Sequence, residues 1–201
     1  MVPSGYKIEA LAENLTTPFN LTFTDQWEIL IADAGIASGN GKALMIIPTG
    51  TKVIAEGFKP PLTGITFYKD NIYVAHRGFI TIVKPDGSKK DIISGLLSFG
   101  DHHNNRVIFG PVGEAFIAEF GSEAPNTTGG KPARKVGHRV SRINPETGVI
   151  MTFAINKTGL AAFTTGGGGL ERPIVVTSGK QNEMYITDFG IYKSPGIKTQ
   201  V

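Results

Sequence analysis

Cysteine is absent from the 201 residues, which excludes disulfides and thiolate chemistry and leaves the redox compartment open. No uninterrupted apolar run approaches the roughly 18 residues of a membrane span, so no membrane partner is expected. Basic residues never cluster beyond Lys89–Lys90, and the formal net charge is only +3. Without a basic stripe, nucleic acid is not an expected partner either. A clean 3.6-residue hydrophobic period is missing throughout, so little helix is expected. The opening "MVPSGYKIEA" lacks the charged and apolar regions of an export signal, and localisation stays unknown.

What the chain does contain is turn chemistry, with 26 Gly and 12 Pro beside 40% hydrophobic and 18% charged residues. That balance belongs to a globular, all-β protein. One unit recurs: an apolar strand, a polar turn and a second apolar strand ending in a small or acidic residue. Its copies are "NLTFTDQWEILIADAG" (20–35), "GITFYKDNIYVAHRG" (64–78), "RVIFGPVGEAFIAEFG" (106–121) and "IVVTSGKQNEMYITDFG" (174–190). Phe23, Phe67 and Phe109 take equivalent places 44 and 42 residues apart, with Thr177 expected to be their counterpart in the fourth copy. A second hairpin follows the first three copies, turning at "PTG", "PDG" and "PETG".

Four short antiparallel strands in about 42–44 residues form a β-propeller blade by length and pattern. The expected architecture is one propeller domain over 1–201, with four recognisable blades at about 18–58, 62–96, 105–158 and 172–201. Residues 6–15 ("YKIEALAENL") read as the outer strand of a blade, either closing a ring or simply leading the chain.

Alternation of strand direction sorts the connections onto two faces. One face receives the Pro-x-Gly turns and the turn holding Trp27, which is expected to pack between blades. The other receives 33–42, 75–79, 100–105, 119–138, 164–173 and 188–196, with all four histidines (His76, His102, His103 and His138) on or beside it. The densest polar cluster, "GDHHNN" (100–105), is thus a blade-to-blade link at the mouth of the central channel. Loops held by a rigid scaffold are where functional groups concentrate.

The stretch "GDHHNNRVIFGP" resembles the motif of the soluble quinoprotein glucose/sorbosone dehydrogenases. These are six-bladed propellers that use pyrroloquinoline quinone (PQQ) with calcium, and are often periplasmic or secreted. "TTPFNLTFTDQWEILIADAG" and "GGGGLERPIVVTSGKQNEMYITDFG" extend the resemblance along most of the chain. It implies an oxidoreductase acting on a sugar, an incomplete six-bladed propeller, and PQQ and Ca²⁺ as cofactors. His102 would be the general base, oriented by Asp101 or by a backbone carbonyl. His103 would form a second polar wall, and Arg106, Ser122 and Arg77 would lie around the cofactor; the metal ligands are not assigned. Two departures accompany it: the family's Gly-x-Arg-Asn-Pro stretch is missing, and Ser122 stands where an acid is expected, flanked by Glu119 and Glu123.

Two other functions stay open from the residues. A noncatalytic or truncated propeller would bind a carbohydrate or a protein through the loop face. A metal-dependent, lactonase-like hydrolase would use Asp33, Glu119 and Asp188, which each end a second strand; such acids also cap turns through backbone N–H groups. Arg77 and Arg172 are candidates for an anionic ligand or ordinary rim charges. "GGGG" (166–169) lacks the Lys-Ser/Thr and helix of a phosphate loop and reads as a link. An open arc of blades would expose strand edges for a partner or for a second copy, as a homodimer, to cover.

Overall fold

The computed structural model describes residues 2–96, 98, 103–110, 113–119, 139–147, 149–155, 173–178 and 184–188. These contain strands and no helix. Three four-stranded antiparallel sheets follow one another along the chain. The first holds β1 (Pro18–Phe23), β2 (Ile29–Asp33), β3 (Gly41–Ile47) and β4 (Gly50–Phe58). The second holds β5 (Leu62–Tyr68), β6 (Asn71–His76), β7 (Phe79–Val83) and β8 (Lys89–Ser94). The third holds β9 (Val107–Phe109), β10 (Ala115–Glu119), β11 (Arg139–Ile143) and β12 (Ile150–Ile155). A pair, β13 (Pro173–Ser178) and β14 (Met184–Asp188), forms the fourth. Strand order within each sheet is the order of the sequence, as in propeller blades.

Burial explains the composition of the strands. The second strand of a sheet is covered on both faces, so β2 and β6 read as continuous apolar runs, ILIA and IYVA, with Leu30, Ala32, Val74 and Ala75 fully buried. Outer strands β4 and β8 are mostly exposed and carry the charges. Turn chemistry closes the hairpins. In Lys84–Ser88 the N–H of Lys84 donates to Ser88 O at 3.0 Å, and Gly87 takes the positive φ of 81° that the reversal needs. In "NPETG" the Asn144 side-chain oxygen accepts from Glu146 N and Thr147 N at 2.9 and 3.0 Å.

The sheets stack in one register. Leu21 opposes Ile31 and Phe23 opposes Ile29; Ile65 opposes Val74 and Phe67 opposes Ile72; Val107 opposes Ile117 and Phe109 opposes Ala115. The second of these sets packs on Leu30, Ala32 and Ala43 of the first sheet. The third packs on Tyr73, Ala75 and Ile80 of the second. Each core is thus the leading face of one sheet seated on the trailing face of the sheet before it. Full burial of a Leu, Ile or Val in such a layer contributes about 1.5–3 kcal/mol.

Three expectations differ from the structure. In the fourth pair it is Ser178, opposite Met184, that takes the place of Phe23, Phe67 and Phe109; Thr177 lies one residue off, opposite Tyr185. Residues 6–15 form no strand, because a strand needs a ladder partner and this segment has none among the described residues; Leu11, Ala12 and Leu15 instead line a groove against the first sheet. Trp27 is 79% exposed, standing edge-to-face on Phe23 at 5.9 Å rather than packing between sheets.

Candidate functional site

Alternating strand direction places residues 34–40, 59–61, 77–78, 95–96, 98 and 103–106 on one face of the stack. Backbone hydrogen bonds staple these connections together: Leu62 N to Ala34 O, Arg77 N to Lys59 O, and Leu96 N to Gly78 O, at 3.1–3.3 Å. The loop face is therefore braced from sheet to sheet.

The link that carries the resemblance motif is held by Asn104, a residue with no exposure at all. Its side-chain oxygen accepts from Gly78 N at 3.0 Å, and its amide reaches Phe79 O at 3.5 Å. The Thr63 hydroxyl donates to the Asn104 carbonyl at 2.5 Å. The link then crosses Gly64, where a Cβ would lie 2.3 Å from the Arg106 Cα, so only glycine allows this approach. Thr66 Oγ1 next donates to the Val107 carbonyl. Nothing in the sequence marked Asn104 as more than one of several polar residues in the cluster; its role depends on what lies beneath it.

His103 is half-buried, and its Nδ1 lies 2.6 Å from the Ser98 carbonyl. A carbonyl only accepts, so Nδ1 carries the proton and Nε2 is the basic nitrogen of the neutral ring. Arg106 lines a cleft of about 260 Å³ with Thr22, Thr66, Tyr68 and Ile108, against the first strands of all three sheets. Arg77 lines another cleft, of about 490 Å³, with Asn40, Glu56, Lys59 and Pro60. The structure thus brings His103 and Arg106 onto one link and puts Arg77 in a separate cleft. Asp101, His102, Ser122 and His138 lie outside the described residues.

His76 departs from the expectation of a rim imidazole. It ends β6 on the sheet's leading face and is 4% exposed, stacked on Phe79 at 5.4 Å and tilted against Phe58 at 5.3 Å. Phe58, which ends the outer strand of the preceding sheet, covers it. Thr81 Oγ1 donates to Asp91 at 2.6 Å, so it accepts from His76 Nε2–H at 2.8 Å; Nδ1 is buried without a partner. Burial pushes the His76 pKa down to about 4, aided by Lys59 and Lys89 and only partly opposed by Asp91. This imidazole is a neutral structural group.

Asp33 takes the register place of His76 in the first sheet; Glu119 and Asp188 take it in the third and fourth. The Asp33 carboxylate accepts from Thr17 N at 2.8 Å and Thr16 N at 3.2 Å, which is the turn-capping role. Among the described residues no group of three or more His, Asp or Glu side chains converges to hold a metal ion. The three carboxylates of PQQ would call for converging cations, but Arg106 and Arg77 line separate clefts.

No family model matches the sequence, and no curated protein matches it. Solved structures do match in fold. A putative oxidoreductase (glucose dehydrogenase) from Thermus thermophilus superposes with a TM-score of 0.64 at 16% identity, over 93% of this chain and 62% of its own. A gluconolactonase from Xanthomonas campestris gives 0.62 at 15% identity, over 89% and 56%. The PQQ domain of pyranose dehydrogenase from Coprinopsis cinerea, in its holo form, gives 0.59 at 13%, over 92% and 47%. The chain carries the β-propeller fold. It spans less than two thirds of the length of these neighbours.

Proposed function

We propose that the loop face is a site of PQQ-dependent sugar oxidation, with His102 as general base. The observation that supports this reading is the placement of residues 103–106, which directly follow His102 in the sequence. Asn104 pins them at a buried point, and they deliver Arg106 to a cleft beside the first strands of all three sheets. PQQ, when bound, supplies the carbonyl carbon that accepts a hydride. Arg106 would hold a cofactor carboxylate through its fixed fork of N–H donors. His102 would take the proton from the sugar hydroxyl as the adjacent C–H bond loses its hydride, which requires a neutral ring near pH 7. His103, its tautomer set by Ser98, forms the neighbouring polar wall. Fold neighbours that include a putative oxidoreductase (glucose dehydrogenase) and a PQQ domain support this reading.

The test is sugar-dependent reduction of an artificial electron acceptor after adding PQQ and Ca²⁺ to the purified chain. The expected result is turnover that falls at least about 100-fold in His102→Ala, the range of a lost general base, with PQQ binding kept. Binding without turnover in the native sequence would favour a noncatalytic propeller instead.

A second reading rests on the shared register of Asp33, Glu119 and Asp188, and on the gluconolactonase neighbour. It predicts lactone hydrolysis that depends on a divalent cation. The commitment of Asp33 to Thr16 and Thr17 places it second.

A further inference from the structure

The two inter-sheet layers differ at their hairpin-turn end, opposite the loop face. Between the second and third sheets, the Phe109 ring lies flat on Tyr68 at 3.9 Å, with the ring planes 7° apart, and meets Tyr73 edge-on at 4.8 Å. Two phenol rings thus cover Phe109. Phe67 holds the register place of Phe109 in the layer between the first and second sheets. There the counterparts of Tyr68 and Tyr73 are Thr24 and Leu30, and neither carries a ring. Beside Phe67 that layer holds a cleft of about 420 Å³. Small-ligand sites usually span about 300–1,000 Å³. Met45, Ile54 and Ile72, all half-buried, form the apolar floor with Phe67.

The mouth of this cleft is charged. Glu28, Asp70 and Asp86 bring carboxylates to it, and Lys52 and Lys84 bring ammonium groups. Three carboxylates against two cations leave an excess of negative charge. Two of the carboxylates are held in place. The Thr24 hydroxyl donates to the Glu28 carboxylate at 3.1 Å. Asp70 sits in a tight turn with Lys69, at φ of 59° and 48°, which the Asn71 side-chain amide braces by donating to Lys69 O at 2.8 Å. Few residues other than glycine hold that backbone conformation.

We propose that this cleft binds a small arylalkylamine, its ring lying on Phe67 as Tyr68 lies on Phe109 and its ammonium group meeting the carboxylates at the mouth. The repeat itself specifies the ring. One layer fills this register place with aromatic side chains, and the other leaves it to a cleft with a phenyl wall. Stacked and edge-on rings attract one another beyond the area they bury. Met45 suits the opposite wall, because its unbranched, polarizable side chain adapts to a ring. The charge at the mouth specifies the amine over a carboxylate of the same shape.

The experiment is a methyl NMR titration of the purified chain with 2-phenylethylamine at neutral pH. Saturable shifts are expected at the Met45, Ile54 and Ile72 methyls, with those of Leu11 and Leu21 in the open groove of the first sheet unmoved. n-Butylamine, which lacks the ring, is expected to bind about 10-fold more weakly. 3-Phenylpropionate, with the same ring and the opposite charge, is expected to bind more weakly than the amine. Thr24→Tyr supplies the missing ring from the protein and is expected to abolish saturation. Because Thr24 also anchors Glu28, a second variant tests the mouth alone. Asp70→Asn/Asp86→Asn changes two exposed side chains, and it should erase the preference for amine over carboxylate while keeping the native urea midpoint. No saturable shift, shifts centred on Leu11 and Leu21, equal binding of n-butylamine or 3-phenylpropionate, or a preference that the double variant leaves intact would each overturn the proposal. These readouts involve no cofactor and no residue of the loop face, so they stand apart from the catalytic reading.

Discussion

At the scale of single residues, the four-residue set His76, Thr81, Asp91 and Phe79 shows how a polar group is kept inside a sheet stack. The ring is neutral because charging it there would forfeit hydration that the site cannot replace. Its pKa falls from 6.5 in a free chain to about 4 when folded. Between those values the unfolded chain binds the proton and the folded one does not, so unfolding free energy falls as pH drops from about 6.5 towards 4. The shift corresponds to roughly 3 kcal/mol across that window. Urea unfolding at pH 7 and pH 5 should show the native sequence losing stability on acidification, and His76→Phe losing markedly less. Asn104 makes a second case. Replacing it by Ala removes an acceptor for the buried Gly78 N–H, at a cost of about 1–3 kcal/mol, readable as a lower urea midpoint. Neither environment was legible in the sequence. Loop parity put His76 beside the correct face, but the direction of its side chain within the strand, and the Phe58 that covers it, decide that it is buried.

At the scale of elements, the repeat was legible wherever an aromatic marked the first strand. Phe23, Phe67 and Phe109 share one register position, and the rings of Phe67 and Phe109 pack into the layer against the sheet before them, whereas Phe23 is 47% exposed. In the fourth copy Ser178 holds that position, and without a ring the sequence offered no anchor to separate it from Thr177. The hairpin turns were readable from Pro, Gly and Asn chemistry. The segment 6–15 was not, since its strand-like pattern says nothing about whether an edge is available. Gly64 tests how the 103–106 link is placed. Gly64→Ala would drive a Cβ into the Arg106 backbone, and a backbone cannot rotate away as a side chain can. The expected outcome is a loss of about 1–3 kcal/mol from overpacking, and a shift of the Val107 and Ile108 amide resonances larger than at Leu30 or Ala32. Equal stability and undisturbed amides would mean that the link does not cross β5 as described.

At the scale of the whole molecule, the fold is a run of sheets in one register. The loop face gathers the described parts of the blade-to-blade links into one braced rim, and Arg106, at the end of one of them, lines a cleft along the first strands. The candidate site was only partly legible in the sequence, because residues on one link stay together while residues on different links are sorted by the stacking; His103 and Arg106 remain on one segment, and Arg77 falls in another cleft. The most direct measurement of the central claim is a titration of PQQ, with Ca²⁺ present, into the native chain and into Arg106→Ala, followed by the cofactor's absorbance and by calorimetry. Loss of a charge-assisted hydrogen bond of about 1.5–3 kcal/mol corresponds to a weakening of roughly 10–100-fold. Saturable binding to the native chain, reduced by that factor in the variant, is the expected result. An absence of saturable binding, or binding that Arg106→Ala leaves unchanged, would contradict a quinone site on this rim.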